Sequence, residues 1–265
     1  MTTTTLRSPV RLLRRLTIAA AVGGLVWISA VLCKVDLAGF LPGLLKGAEV
    51  LRFFFPPEWS ALVEMLQPAG VTVLLAAVAT PLGVVLSFFF GLAGARNLSP
   101  PWLRTVSRTL IGVERALPEI IVLLLLVAAL GVGPFPGVVA LAIGSVGMLG
   151  KLFADAMEEI DSKVIESVAS VGATHWQIIR HAVIPEVLPA LLAHSIFRFE
   201  VNLRASVLLG AVGAGGIGLE LSKAMSLLEY ERAMMAVLIT LLLVFGSERV
   251  SDFLRGRILE GGRLK

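Results

Sequence analysis

The chain has 265 residues, 57% of them hydrophobic and only 16% charged, and its mean hydropathy is +0.90. A soluble domain carries about 25% charged residues, so a soluble globular fold is excluded and an integral membrane protein is expected. The net charge of +4 lies at the ends of apolar runs, where the positive-inside rule accounts for it, and no motif points to nucleic acid as a partner.

Residues 1–15 read as a polar cytoplasmic tail. Arg7, Arg11, Arg14 and Arg15 precede an apolar run over 16–33 that predicts a first membrane helix near the minimum spanning length. Cys33, the single cysteine, excludes an intrachain disulfide and a cysteine-only metal cluster. Residues 34–68 mix both charges with Phe53, Phe54, Phe55, Pro56, Pro57 and Trp59, which predicts an extracytoplasmic loop at headgroup depth.

The core is expected over 69–250. A second span covers 69–95, with a kink at Pro81 and Gly83. Arg96, Arg104 and Arg108 then mark a basic cytoplasmic turn. A third span covers 117–132, entered through Glu114, Arg115, Pro118 and Glu119. After a turn at 131–137, a fourth span runs over 138–157. Its Gly144, Gly147 and Gly150 leave room for a second helix.

The longest polar interruption of the second half follows, at 158–189. Asp161 or Ser162 can cap a short helix over 164–171, with Val164, Ile165, Val168 and Ala169 on one face. Lys163, Glu166, Ser167 and Ser170 lie largely away from that face. Gly172 ends the helix in a left-handed turn. Thr174 with Gln177 has the pattern of a capping box, and Pro185 is expected to stop the second helix. An ordinary solvated loop is the alternative. Two caps and an apolar face favour a docking surface.

A fifth span runs from Glu186 through Arg204, and a sixth covers 233–245. A mostly basic tail, 251–265, closes the chain after Glu248 and Arg249, with Arg255, Arg257, Arg263 and Lys265. Counting Lys and Arg at the loops places both termini and the 158–189 loop on the cytoplasmic side.

The fifth span holds Arg198, Glu200, Asn202 and Arg204. Residues four apart share a helix face, so Glu200 can pair with Arg204, and Arg198 lies beside Asn202. Ionised groups at that depth cost several kcal/mol unless paired or wet. Two readings stay open. In one the residues satisfy each other and hold helices together. In the other Arg198 and Arg204 attract an anion along a polar path, and Glu200 orients an arginine. Just beyond, Gly210, Gly213, Gly215, Gly216 and Gly218 suit broken or re-entrant helices, a place for a gate. A dinucleotide site is rejected there, because no βαβ unit surrounds the glycines. His175 and His181 would not share a helix face, which argues against a metal pair, and His194 reads as a core or pore histidine.

Glu166, Gly172, Ala173, Ile184 and Pro185 resemble the EAA loop of ABC-importer permeases in spacing. Ser167 and Val168 stand where that motif has alanines, and Ala182 where it has isoleucine. The run 197–218, with the RALPE sequence at 115–119, narrows the resemblance to permeases of phosphonate importers and their phosphite relatives. Methionine-type permeases share the glycine-rich part but generally not the Arg–Glu–Asn–Arg run. The resemblance covers roughly 72–255 and none of the N-terminal segment.

That resemblance implies an all-α polytopic fold of about six membrane helices, the type I importer permease fold with a methionine-permease-like core. It implies a bacterial inner-membrane homodimer. Two cytoplasmic ATPases would dock on Glu166, Gly172, Ala173, Thr174 and Pro185, and an external binding protein would deliver a phosphorus oxyanion. ATP and Mg would bind the ATPases. This chain has no phosphate-binding loop, so it is not expected to be an enzyme. A methionine-type importer, an ATPase-independent secondary transporter and a membrane scaffold are the alternatives.

Overall fold

The computed structural model describes residues 9–262, so Arg7, Arg263 and Lys265 lie outside the described residues. Every regular element among the described residues is helical. The chain divides into two compact units, 1–53 and 54–265.

The first unit contains α1 (Pro9–Leu32) and α2 (Leu37–Arg52). Within α1, Arg14–Leu32 is long and apolar enough to cross a membrane. The loop expected over 34–68 is instead largely helical. Asp36 caps α2 by accepting the Gly39 N–H at 2.9 Å, which satisfies one of the free donors of its first turn. Phe40, Leu44 and Leu51 line an apolar groove along it with Gly43 and Gly47.

The second unit is built on α3 (Leu62–Gly94) and α6 (Pro134–Glu158). These helices run parallel, in register at an offset of 62 positions. A Cβ on Gly83 would overlap Ser145, one on Gly91 would lie 2.8 Å from the Phe153 Cβ, and one on Gly137 would lie 3.4 Å from Leu75. At one end the Arg96 N–H donates to Glu158 at 2.7 Å, and the Asn97 amide donates to the Met157 carbonyl at 2.8 Å. Glycine at the crossings lets the two backbones close on each other.

Parallel neighbours require the chain to return between them. The return is made by α4 (Pro101–Ala116) and α5 (Glu119–Leu130). Their contacts climb α6 in order: Arg108 meets Glu158, Ile111 meets Gly150, Glu114 meets Gly147 and Glu119 meets Gly144. The third span is therefore a broken helix. Its apolar half, α5, has 12 residues and rises about 18 Å, short of the roughly 30 Å of a bilayer core. Pro118 causes the break, because a residue before proline is pushed out of the helical region, and Leu117 sits at φ −93, ψ 122.

Several sequence expectations change here. The basic turn after Arg96 is mostly the amphipathic helix α4, started by Pro101 and held by Ser107, whose hydroxyl donates to the Phe90 carbonyl at 2.6 Å. The fourth span begins at Pro134, so the turn at 131–137 is shorter than expected. Gly144, Gly147 and Gly150 make room for the Glu119, Glu114 and Ile111 side chains rather than for a bare backbone.

The chain then crosses back through α9 (Ile184–Leu209) and returns through α11 (Tyr230–Gly262). The basic tail is no separate segment: α11 continues through Arg255 and Arg257. Five helical stretches among the described residues are long and apolar enough to span a membrane, and the α4–α5 pair supplies one more crossing. The α3–α4 turn, the 158–189 segment and the end of α11 share one end of the bundle. A buried cluster there, including Leu92, Leu149, Phe153, Met157, Ile179, Val183 and Val187, is flanked by Ile160, Ile165 and Ile184 of the polar segment.

Candidate functional site

The 158–189 segment folds as two short helices, α7 (Ser162–Ala169) and α8 (His175–Ile178). Asp161 caps α7, accepting the Lys163 N–H at 3.0 Å. Gly172 takes φ +81, a conformation that only glycine adopts freely. At the start of α8 the Gln177 side chain accepts the Thr174 N–H at 2.7 Å. Ile165 packs inward, while Val171 is 82% and Trp176 69% exposed. The segment thus offers an apolar tip between two capped helices, with Glu166, Gly172 and Thr174 on its exposed surface.

Pro185 does not stop the chain's helix, contrary to expectation. A wide π turn over Ile179–Val183 absorbs it, with the Ile184 N–H donating to the Ile179 carbonyl. The wider turn accommodates a residue whose ring would clash with a regular helical ladder. Residues 175–209 consequently form one continuous helical stretch, and the exposed segment runs without a loop into α9.

Along α9 the polar residues divide by face. Residues two apart point to opposite sides of a helix, so Arg198 and Asn202 turn one way, Glu200 and Arg204 the other. Arg198 is only 3% exposed. It donates to Glu119 at 2.7 Å and to the Ser145 hydroxyl at 2.9 Å, joining the break in the third span to α6 and α9. Asn202, fully buried, donates to the Thr80 hydroxyl at 2.9 Å and to the Ser145 hydroxyl at 3.3 Å. Those two hydroxyls donate in turn to the Ala76 and Leu141 carbonyls, each at 2.7 Å. The Asn202 side-chain oxygen, Oδ1, has no hydrogen-bond partner among the described residues.

On the opposite face Glu200 is buried and paired with Arg204, as the spacing predicts. Arg255 of α11 reaches the same carboxylate at 3.8 Å, bonds Asp252 at 2.6 Å and lies over the Phe197 ring at 5.6 Å. The Arg204 side chain remains 53% exposed. Arg198 is therefore not a free attracting charge: Glu119 neutralises it. Arg204 is the accessible cation of the run.

The glycine run turns α9 into α10 (Ile217–Ser226). The helix kinks over Gly210–Ala214, where Gly213 leaves the helical region at φ 120, and Gly215 and Gly216 follow at +86 and +74. A Cβ on Gly210 or Gly218 would strike the backbone of the other arm, at the Gly215 and Val207 carbonyls. The Ile217 N–H donates to the Thr72 hydroxyl at 2.8 Å, which pins the start of α10 to α3. These glycines bring the two arms of a tight re-entrant bend together at the end of the bundle opposite the exposed segment.

Glu119, Ser145, Thr80 and Arg255 were not singled out by spacing. Glu119 carried the only local signal, an acid directly after Pro118 at the head of an apolar run. The others became visible only when four helices met. Together they form a cross-braced polar layer inside an apolar bundle, continuous with an exposed lever at one end and a glycine bend at the other. No cluster of three His, Cys, Asp or Glu able to hold a metal occurs among the described residues.

Residues 83–260 match the family described as binding-protein-dependent transport system inner membrane component. The chain is 41% identical over 231 residues to the phosphate-import permease protein PhnE of Mycolicibacterium smegmatis, covering 86% of this chain but 43% of that protein. It is 34% identical over 258 residues to the putative phosphite transport system permease protein HtxC of Stutzerimonas stutzeri, covering 97% and 92% of the two chains. A chain of the inward-facing MetNI methionine ABC transporter superposes with a TM-score of 0.67 at 22% identity, covering 76% of this chain and 99% of that one. At that identity the likeness concerns the fold, and the fold is that of an ABC-importer permease.

Proposed function

Because this chain belongs to the family of binding-protein-dependent transport system inner membrane components, we propose that it is the permease subunit of an ATP-driven importer of a phosphorus oxyanion, a phosphonate or phosphite. Two copies would form the pathway in a bacterial inner membrane, with the 158–189 segment and both termini in the cytoplasm. An external binding protein would deliver the anion to the glycine bend at Gly210, Gly213, Gly215, Gly216 and Gly218. ATP and Mg would be held by a separate ATPase docked on Glu166, Gly172, Ala173, Thr174 and Pro185. This chain would carry no catalytic group.

The single observation that carries the proposal is the unbroken helical stretch over 175–209. It joins an exposed two-helix tip to the polar layer at Arg198–Arg204 and on to the glycine bend. A push on the tip would be transmitted by a rigid rod rather than lost in a loop. The names of the relatives support the substrate class, since PhnE is a phosphate-import and HtxC a putative phosphite permease.

The test is purification and uptake. The chain should leave the membrane in complex with an ATPase and lose it in Gly172→Val, whose β-branched side chain the left-handed turn excludes. Cells relying on this importer should take up phosphonate or phosphite, and not methionine. Uptake that persists without any ATPase, or methionine as the transported solute, contradicts the proposal.

A further inference from the structure

Arg115, the last cation of α4, has a side chain that the polar layer leaves unused. It is exposed and forms no hydrogen bond or ion pair among the described residues. Its Cγ passes against Gly147. Counting back from Glu158, that position lies roughly 16 Å along α6. An ionised guanidinium at such depth costs several kcal/mol unless it is paired or wet.

The surroundings choose between the two. Arg115 lines a cleft of about 210 Å³ between α4 and α6, together with Arg108, Lys151, Asp155 and Gly112. The two acids that reach the cleft's lining cations are already matched, and Glu114, which attracts Arg115, does not line the cleft. Asp155 holds Lys151 at 3.1 Å, and Glu158 holds Arg108. Glu114 turns its carboxylate onto Gly147 rather than into the cleft. The lining carries three cations to one acid and leaves the Arg115 charge facing a space equal to roughly seven water volumes. Hydrocarbon would not solvate that charge. Water or an anion would, and a guanidinium offers paired donors to a tetrahedral oxyanion.

We infer that the Arg115–Lys151 cleft between α4 and α6 is an anion-binding site for a phosphorus oxyanion, lying beside the Leu117–Pro118 break on the side facing the 158–189 segment. Its use as a relay after the gate rests on the permease reading; anion binding itself does not. A free oxyanion and the phosphodiester of an anionic lipid share the chemistry that the cleft recognises, and the relay requires the free ion.

The site is tested in the full-length chain, assembled with its partners in discs of zwitterionic lipid. Gly112→Cys is placed in a Cys33→Ser background, since a Cβ on Gly112 meets nothing within 4 Å. An anionic thiol reagent should react faster than a cationic one of equal size by roughly 25-fold, each being shifted about fivefold in opposite directions by one unit charge at close range in water. Arg115→Gln should bring that ratio towards unity, and inorganic phosphite should slow the anionic reagent. A ratio near unity in Gly112→Cys, or one that Arg115→Gln leaves unchanged, overturns the site. Protection by added phosphatidylglycerol and not by phosphite assigns the cleft to a lipid headgroup and overturns the relay.

Uptake supplies the second arm. Arg115→Gln and Lys151→Gln should each lower oxyanion uptake, and Arg115→Lys should retain part of it. Normal uptake in both glutamine variants overturns the relay. A wild-type importer that moves no phosphorus oxyanion sinks the permease reading alone, because the labelling ratio still judges the cleft.

Discussion

Arg198 of α9 donates to Glu119 of α5 across 2.7 Å, although the two residues are 79 positions apart in the chain. The contact fastens the head of a broken membrane helix to the rod that rises from the exposed segment. Breaking one side of a buried pair costs about 3–5 kcal/mol, whereas replacing both by apolar groups can be nearly neutral. Glu119 is 28% exposed, which lowers the expected cost to about 2–3 kcal/mol. Arg198→Met should therefore lower the melting temperature in detergent, and Arg198→Met with Glu119→Leu should recover most of the loss. Additive losses would show that the two residues do not act as a pair.

Glu200 faces two arginines, Arg204 and Arg255. Removing either leaves the carboxylate one partner, so Arg204→Ala or Arg255→Ala alone should destabilise by about 1 kcal/mol or less. The double variant strands a buried charge and should cost about 3 kcal/mol. A thermal-shift cycle on the four chains reads the coupling. Arg204→Ala should also reduce oxyanion uptake while the complex with the ATPase persists, because Arg204 is the exposed member.

A methyl group added to Gly172 would meet nothing within 4 Å, yet the residue sits at φ +81, so backbone strain and not crowding governs its replacement. Asparagine visits that region readily, alanine at a cost of about 1–2 kcal/mol, and β-branched residues least of all. Binding of the ATPase should fall in the order Gly, Asn, Ala, Val, measured by co-purification. An order following side-chain volume or polarity alone would contradict the turn's role.

Gly144 and Gly147 accommodate the side chains of Glu119 and Glu114. Gly144→Ala and Gly147→Ala should push α4 and α5 off α6 and cost about 1–3 kcal/mol, the usual penalty of overpacking. Gly112→Ala, in open space on α4, should be neutral or slightly stabilising, since alanine is the better helix former. Equal stability of all three variants would mean that α4 and α5 do not pack along α6 as described.

The local features of this protein were written in the chain by itself. Long apolar runs set the helices, because within a bilayer a single segment can satisfy its own backbone only as a helix. Asp161, Gly172 and the Thr174–Gln177 pair set the turn of the exposed segment, because caps act within one helical turn. The four-residue spacing set the Glu200–Arg204 pair. What the tertiary structure alone decided was everything that depends on which helices become neighbours. It paired Arg198 with Glu119, brought Ser145 and Thr80 to Asn202, folded Arg255 back onto Glu200, and turned an expected loop after Arg96 into a return limb along α6. It also carried the helix through Pro185, where proline alone signals a stop, because a π turn packed on Phe153 and Met157 could absorb the ring. Spacing along one chain carries no record of such meetings, since the partners of a buried charge are chosen by the packing of whole helices.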